Sequence, residues 1–252
     1  MQSTPLPEVR RVPASAGRRW IVAAWRLFRD YPLPWIGIGV VFMLIQLVLS
    51  MVPVLGQLLA AILTPALMAG GAVAAARAAR DERPRVLDLF GCFESQRALP
   101  FFVLGAMYLA ASVLMYLVFF SLAAMLGFSM PTGTLAPEDP ALLGEVVSAL
   151  LVAALPATFL LTMAFWLAPI LVLWHGLAPL AALRESFTAS VRNFGAFFVM
   201  FLWMMALMML AAMLLGLGML VFTPLALLVP VVGYHDLFGS GRETGQNVDV
   251  IG

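Results

Sequence analysis

The chain contains no lysine, and all 14 of its basic residues are arginines. Arginine keeps its charge beside lipid phosphates, where lysine is more easily neutralised. The single cysteine, Cys92, excludes an intramolecular disulfide, and its neighbours supply no cysteine partner for a zinc site. The two histidines, His175 and His235, lack the i, i+4 spacing of a helical metal pair. Charge as a whole is scarce, at 11% of residues against about 25% in soluble domains. It is missing altogether from Leu33 to Met51, Val54 to Ala76, Pro100 to Ser129, Val146 to Trp174 and Phe194 to Tyr234. Ionisable groups at membrane depth are the usual mark of proton- or ion-coupled transport, and an arginine series marks a voltage sensor. Neither is present. The polar segments carry no nucleophile elbow, phosphate loop or zinc pattern, so neither an enzyme nor a cofactor is expected.

What is present is apolar, 63% of the chain. A membrane span needs roughly 20 such residues, so the five runs belong in a bilayer. Pro53 suits an interfacial turn between the first two. The run from Phe194 to Tyr234 would be about 60 Å long as one helix and must fold back, with Gly216-Leu217-Gly218 as the hairpin. The fourth run, which holds Pro156 and Pro169, reads as one tilted and kinked helix, with a re-entrant element as the alternative. The fold class is therefore all-α: a transmembrane bundle of six spans at 33–51, 54–76, 100–128, 146–175, 194–215 and 217–236. One membrane domain covers 15–238, between a disordered tail over 1–14 and a flexible tail over 239–252. The first 32 residues are too long and too polar for a signal-peptide n-region, so the first run is expected to stay attached as a span.

Cytoplasmic loops retain arginine and lysine. Arg10, Arg11, Arg18, Arg19, Arg26 and Arg29 precede the first span, and Arg77, Arg80, Arg83, Arg85 and Arg97 lie between the second and third. Arg184 and Arg192 separate the fourth and fifth, and Arg242 follows the sixth. With six spans all of them share one side. The connection from Met130 to Glu145 holds Glu138, Asp139 and Glu145 and no basic residue, which fits the other side. This places both termini in the cytoplasm of a bacterium and the protein in its inner membrane.

The arginine-bearing segments have helical periodicity. Over 15–31, Arg18, Arg29, Arg26, Arg19 and Asp30 share one arc, opposite Leu27, Trp20, Tyr31, Ala24, Phe28 and Ile21. Such a helix lies in the membrane interface with its apolar face in lipid. Over 179–193, Leu183, Phe187, Leu180 and Val191 oppose Arg184, Thr188, Arg192 and Glu185. A third segment, 85–97, sets Val86, Leu89, Phe90 and Phe93 against Asp88 and Ser95. Each precedes a hairpin, so the chain reads as a threefold parallel repeat of surface helix, outward span, turn and inward span. Candidate headgroup contacts are Arg18, Arg19, Arg26, Arg29, Arg184 and Arg192, and the implied partner is a bilayer rich in anionic lipid. Basic residues flanking spans are explained by insertion, so nucleic acid is not an expected partner.

Inside the spans, Gln46, Ser112, Ser121, Thr158 and Thr162 suit interhelical or back-bonded hydrogen bonds. Met200, Met204, Met205, Met208, Met209, Met213 and Met219 form two offset stripes without cysteine or histidine beside them, which is adaptable packing rather than a copper path. Ala66, Gly70 and Ala74 recur every four residues and expose a smooth face for close helix packing, within the chain or against a second protomer or membrane partner. His175 and the His235-Asp236 pair fall at helix ends as polar anchors.

The helix from Trp20 to Tyr31, the stretch Pro65-Ala66-Leu67-Met68-Ala69-Gly70-Gly71, the segment Leu87-Asp88-Leu89-Phe90 and the run from Ala182 to Asn193 leading into Phe194 occur here in that order. The chain resembles, over most of its length, uncharacterised six-span inner-membrane families of proteobacteria. That resemblance implies the same fold, no assigned activity and no catalytic residues. The expected role is non-enzymatic, structural or lipid-associated. A transporter or channel for an apolar or amphipathic solute is the alternative, and an intramembrane enzyme the third.

Overall fold

The computed structural model describes residues 8–93, 98–125, 154–214 and 216–239. Its helices are α1 (Ala16–Asp30), α2 (Pro32–Ser50), α3 (Leu55–Ala78), α4 (Ala98–Met125), α5 (154–165), α6 (Ala168–His175), α7 (Pro179–Arg192), α8 (Phe194–Met213) and α9 (Met219–Phe238), with a 3-10 turn at Val86–Phe90. Six helical stretches are long and apolar enough to cross a membrane, with α5 and α6 together forming the fourth. The protein is an all-α membrane bundle. The expected beginning of the fourth span, the end of the third, the acidic connection and the C-terminal tail beyond Gly239 lie outside the described residues.

Local chemistry sets the boundaries. Pro32 and Pro179 open α2 and α7 at the first helical position, where a missing N–H costs nothing. Gly176, at φ +62°, closes α6 in the left-handed conformation that favours glycine. Thr64 Oγ1 donates back to Ala60 O one residue before Pro65 and accepts from Gln46 Nε2 at 3.0 Å, tying α2 to α3.

Three hairpins share one design. In each the second span is internal and the first is peripheral: over an 18-residue apolar stretch of each, α3, α5–α6 and α9 are 50–61% buried, against 17–22% for α2, α4 and α8. The internal helices α3, α6 and α9 touch one another pairwise. Each also packs on the outer helix of the next hairpin, α3 on α4 and α9 on α2, while Phe159 of α5 sits edge-on to Phe194, Phe198 and Phe201 of α8. Surface elements follow the same rotation: the 3-10 turn rests on α2 and α3, α7 on α4 and α6, and α1 on α8 and α9. The arrangement is cyclic, because the first surface helix closes the ring by docking on the last hairpin.

The break between α5 and α6 shows what a hydroxyl does in such a bundle. Pro169 cannot continue the ladder, and the chain bends at Trp166 and Leu167. Leu167 N and Met163 O, an i, i−4 pair, are bridged instead by Ser186 Oγ of α7, which accepts from the first at 3.1 Å and donates to the second at 3.0 Å. Ser190 Oγ lies 3.0 Å from the same Met163 oxygen. A buried backbone group left without a partner costs about 1–3 kcal/mol, which is the physical reason for two serines on the buried face of α7.

Three expectations are corrected. Residues 8–14, assigned to a disordered tail over 1–14, are held in place. Arg10 N donates to Leu237 O at 2.8 Å, and the buried Asn193 carboxamide accepts from Val12 N at 2.8 Å and donates to Arg10 O at 3.0 Å. The segment 85–97 does not begin as an α-helix but as the 3-10 turn, because Asp88 folds back to accept the Arg85 N–H at 2.8 Å. Asp88, placed on the polar side by periodicity, is buried and ion-paired to Arg77 Nε at 3.0 Å. Finally, the apolar face of α1 is turned to protein rather than lipid, as described next.

Candidate functional site at the arginine-bearing face

α1 buries Ala16, Trp20, Ala24 and Phe28, one stripe at i, i+4 spacing, against α8 and α9. Small residues make this approach possible. A Cβ on Gly17 would strike the Ala196 backbone, and one on Gly233 of α9 would meet the Trp166 ring at 2.6 Å. Trp20 sits in the gap, its ring 5.7 Å from Trp166 and 5.5 Å from Phe197. Its Nε1–H donates to Asp236 Oδ2 at 2.7 Å, and Arg19 Nη2 lies 3.9 Å from the same oxygen. Asp236 is thus an acceptor for α1.

The remaining arc of α1 is open, and it is not purely charged. Trp25 and Val22, 44% and 41% exposed, lie among Arg18, Arg26 and Arg29. Among the described residues these three arginines have no hydrogen bond or ion pair, and only Arg19 of the predicted set on α1 reaches a carboxylate.

α7 divides three ways. Ala182, Ser186, Ala189 and Ser190 face the bundle. Leu180, Phe187 and Val191, 40–51% exposed, form an unburied apolar stripe. Arg184 and Arg192 occupy the third arc and are exposed. α7 therefore carries protein-facing, exposed apolar and exposed polar arcs.

Ala66, Gly70 and Ala74 are buried within the chain. The 3-10 turn covers the glycine, whose added Cβ would collide with the Leu89 backbone. Cys92 follows that turn at 3% exposure, and burial pushes its thiol up to about 11. Asp236, Asn193, Ser186 and Ser190 escaped the sequence reading as joints. The available signal was a polar residue on the face opposite the apolar stripe.

His175 Nε2 lies 2.6 Å from Tyr234 OH, joining α6 to α9. The His235 ring instead lies against Trp174 at 5.3 Å. Among the described residues no three histidine, cysteine or acidic side chains group as metal ligands.

The chain is 31% identical to a probable inner membrane protein of Burkholderia thailandensis, over 92% of its own length and 91% of the relative's. It belongs to that inner-membrane family. No family profile matches the chain. No solved structure matches it. The protein is accordingly a multi-pass inner-membrane protein.

Proposed function

We propose that this inner-membrane protein is a non-enzymatic, lipid-associated scaffold whose α1 and α7 hold anionic headgroups on the cytoplasmic side. The observation that carries the reading is the open face of these helices. Unpaired Arg18, Arg26, Arg29, Arg184 and Arg192 stand beside exposed Trp25, Val22, Phe187 and Val191. An aromatic or aliphatic side chain next to a free guanidinium matches an acyl chain next to a phosphate, at about 1 kcal/mol per arginine near an anionic surface. The one-sided arginines support the orientation.

Replacing all five arginines by glutamine in the full-length protein should abolish enrichment of phosphatidylglycerol and cardiolipin over phosphatidylethanolamine among co-purified lipids. Equal enrichment in the variant would end the headgroup reading. For orientation, a cysteine replacing the exposed Arg83 should react with an impermeant maleimide in inverted vesicles and stay silent in intact spheroplasts.

The break between α5 and α6 is the one feature that favours a transporter, because discontinuous helices form solute sites in such proteins. Two of its freed backbone groups, Leu167 N and Met163 O, are however already occupied by Ser186 and Ser190. The scaffold reading therefore fits the bundle better.

A further inference from the structure

At the end remote from the arginines, two hairpins turn through apolar residues alone. The α2–α3 tip exposes Met51, Val52, Val54 and Leu55, with Met51 at 76% and Val54 at 73%. The α8–α9 tip exposes Met213, Leu214 and Leu217, with Met213 at 80%. No polar side chain occurs from Phe194 to Phe222. The tips have the turn formers Pro53, Gly56, Gly216 and Gly218 but no Asn, Asp or charged side chain of the kind that serves a solvated reversal.

Several backbone groups of both tips bond within the tip. Met51 N donates to Val48 O, Val52 N to Leu49 O and Gly56 N to Val52 O. Leu217 N donates to Leu214 O, Met219 N to Gly216 O and Leu220 N to Leu217 O. At Val54 the chain reverses in a three-residue turn, with Leu55 N donating to Pro53 O at 2.7 Å and φ +60°, a conformation β-branched residues rarely adopt. Even the flanking Ser50 hydroxyl donates inward, to Leu47 O. Internal satisfaction of irregular backbone is required in hydrocarbon and unnecessary in water.

With 19 residues in α2 and 20 each in α8 and α9, these three helices rise about 28–30 Å, which only matches the roughly 30 Å hydrocarbon core, while α3, with 24 residues, rises about 36 Å. With the arginines at headgroup level on one side, the far ends of α2, α8 and α9 reach no further than the edge of the opposite hydrocarbon. The exposed tips also continue the outward bands of Leu44, Leu47 and Val48 on α2, past Ser50 with its inward-bonded hydroxyl, and of Met208, Met209 and Leu210 on α8.

We infer that the α2–α3 and α8–α9 tips end inside the bilayer and contact the acyl chains of the leaflet opposite the arginines. The occupant of this apolar face is lipid, and that leaflet is thinned over two of the three hairpins. The exposed Gln57 sets the first tip nearer the headgroup boundary, so Leu217 lies deeper than Val54. The inference rests on the arginines marking the other interface, and its test separates the two.

The full-length variants Val54→Cys, Leu217→Cys and Arg83→Cys are labelled with bimane and reconstituted in vesicles. Cys92 is buried with a raised thiol and stays unlabelled. Nitroxide-bearing acyl chains should lower emission several-fold at both tips, more at Leu217→Cys, while aqueous iodide leaves both nearly unchanged. Arg83→Cys should behave in the opposite way. Iodide quenching at the tips overturns the inference in favour of water. Quenching by neither agent overturns it too, because protein then covers the tips, either residues 126–153 or a second copy. Acyl-chain quenching at Arg83→Cys would instead overturn the headgroup reading, with the tips still judged on their own signal.

Discussion

Trp20→Ala should destabilise the folded protein by about 3–5 kcal/mol, the range for removing a large aromatic side chain from a packed site. Trp20 is 1% exposed, and the cavity would open between Trp166, Phe197 and Gly233, which are held by three different elements and cannot collapse together. The change also strips Asp236 of its 2.7 Å donor and leaves only Arg19 at 3.9 Å. Trp20→Phe separates the two effects. It keeps most of the ring contact and loses the hydrogen bond, whose acceptor is charged but partly hydrated, so a smaller loss of about 1.5 kcal/mol is expected. Unfolding in mixed micelles, followed by the fluorescence of the remaining tryptophans, measures both. Wild-type stability for Trp20→Ala would mean that α1 is not docked on the last hairpin, and the closed ring would fail with it.

Gly70→Val carries a comparable penalty for the opposite reason, excess volume. A Cβ at this position falls on the backbone of Leu89, which cannot rotate away as a side chain would, so the whole 3-10 turn must lift from α3. Overpacking of this kind costs about 3 kcal/mol. Lifting the turn also strains the Arg77–Asp88 pair, with a carboxylate only 7% exposed as an uncompensated charge in the variant. Cys92 reports the event. In the native fold burial keeps its thiol protonated up to about pH 11, so alkylation at neutral pH is slow. In Gly70→Val it should become fast while α2 and α3 remain helical. A thiol as protected as in the wild type would refute the claim that Gly70 seats the turn.

How much of this was legible in advance depended on the partner each residue meets. Spans could be counted because hydrocarbon imposes one demand, about 20 apolar residues, on every crossing, and the arginines then divided the 41-residue run from Phe194 to Tyr234 into two. The surface helices were visible for a similar reason, since periodicity separates a polar arc from an apolar one whatever lies beyond. Periodicity does not say what covers the apolar arc. On α1 it is Trp166 and Phe197, whereas on α7 Leu180, Phe187 and Val191 stay exposed among the described residues, because the small residues Ala182, Ser186 and Ala189 are the ones turned inward.

Composition by itself thus determined that this is a multi-pass membrane protein. Length and polarity are local properties that a bilayer reads directly. Only the tertiary structure decided that three hairpins close into a ring, that the segment 8–14 is held by Asn193, and that Ser186 completes a broken helix 19 residues away. Those outcomes depend on which surfaces meet across long sequence separations, and shape at a contact leaves no period in the chain.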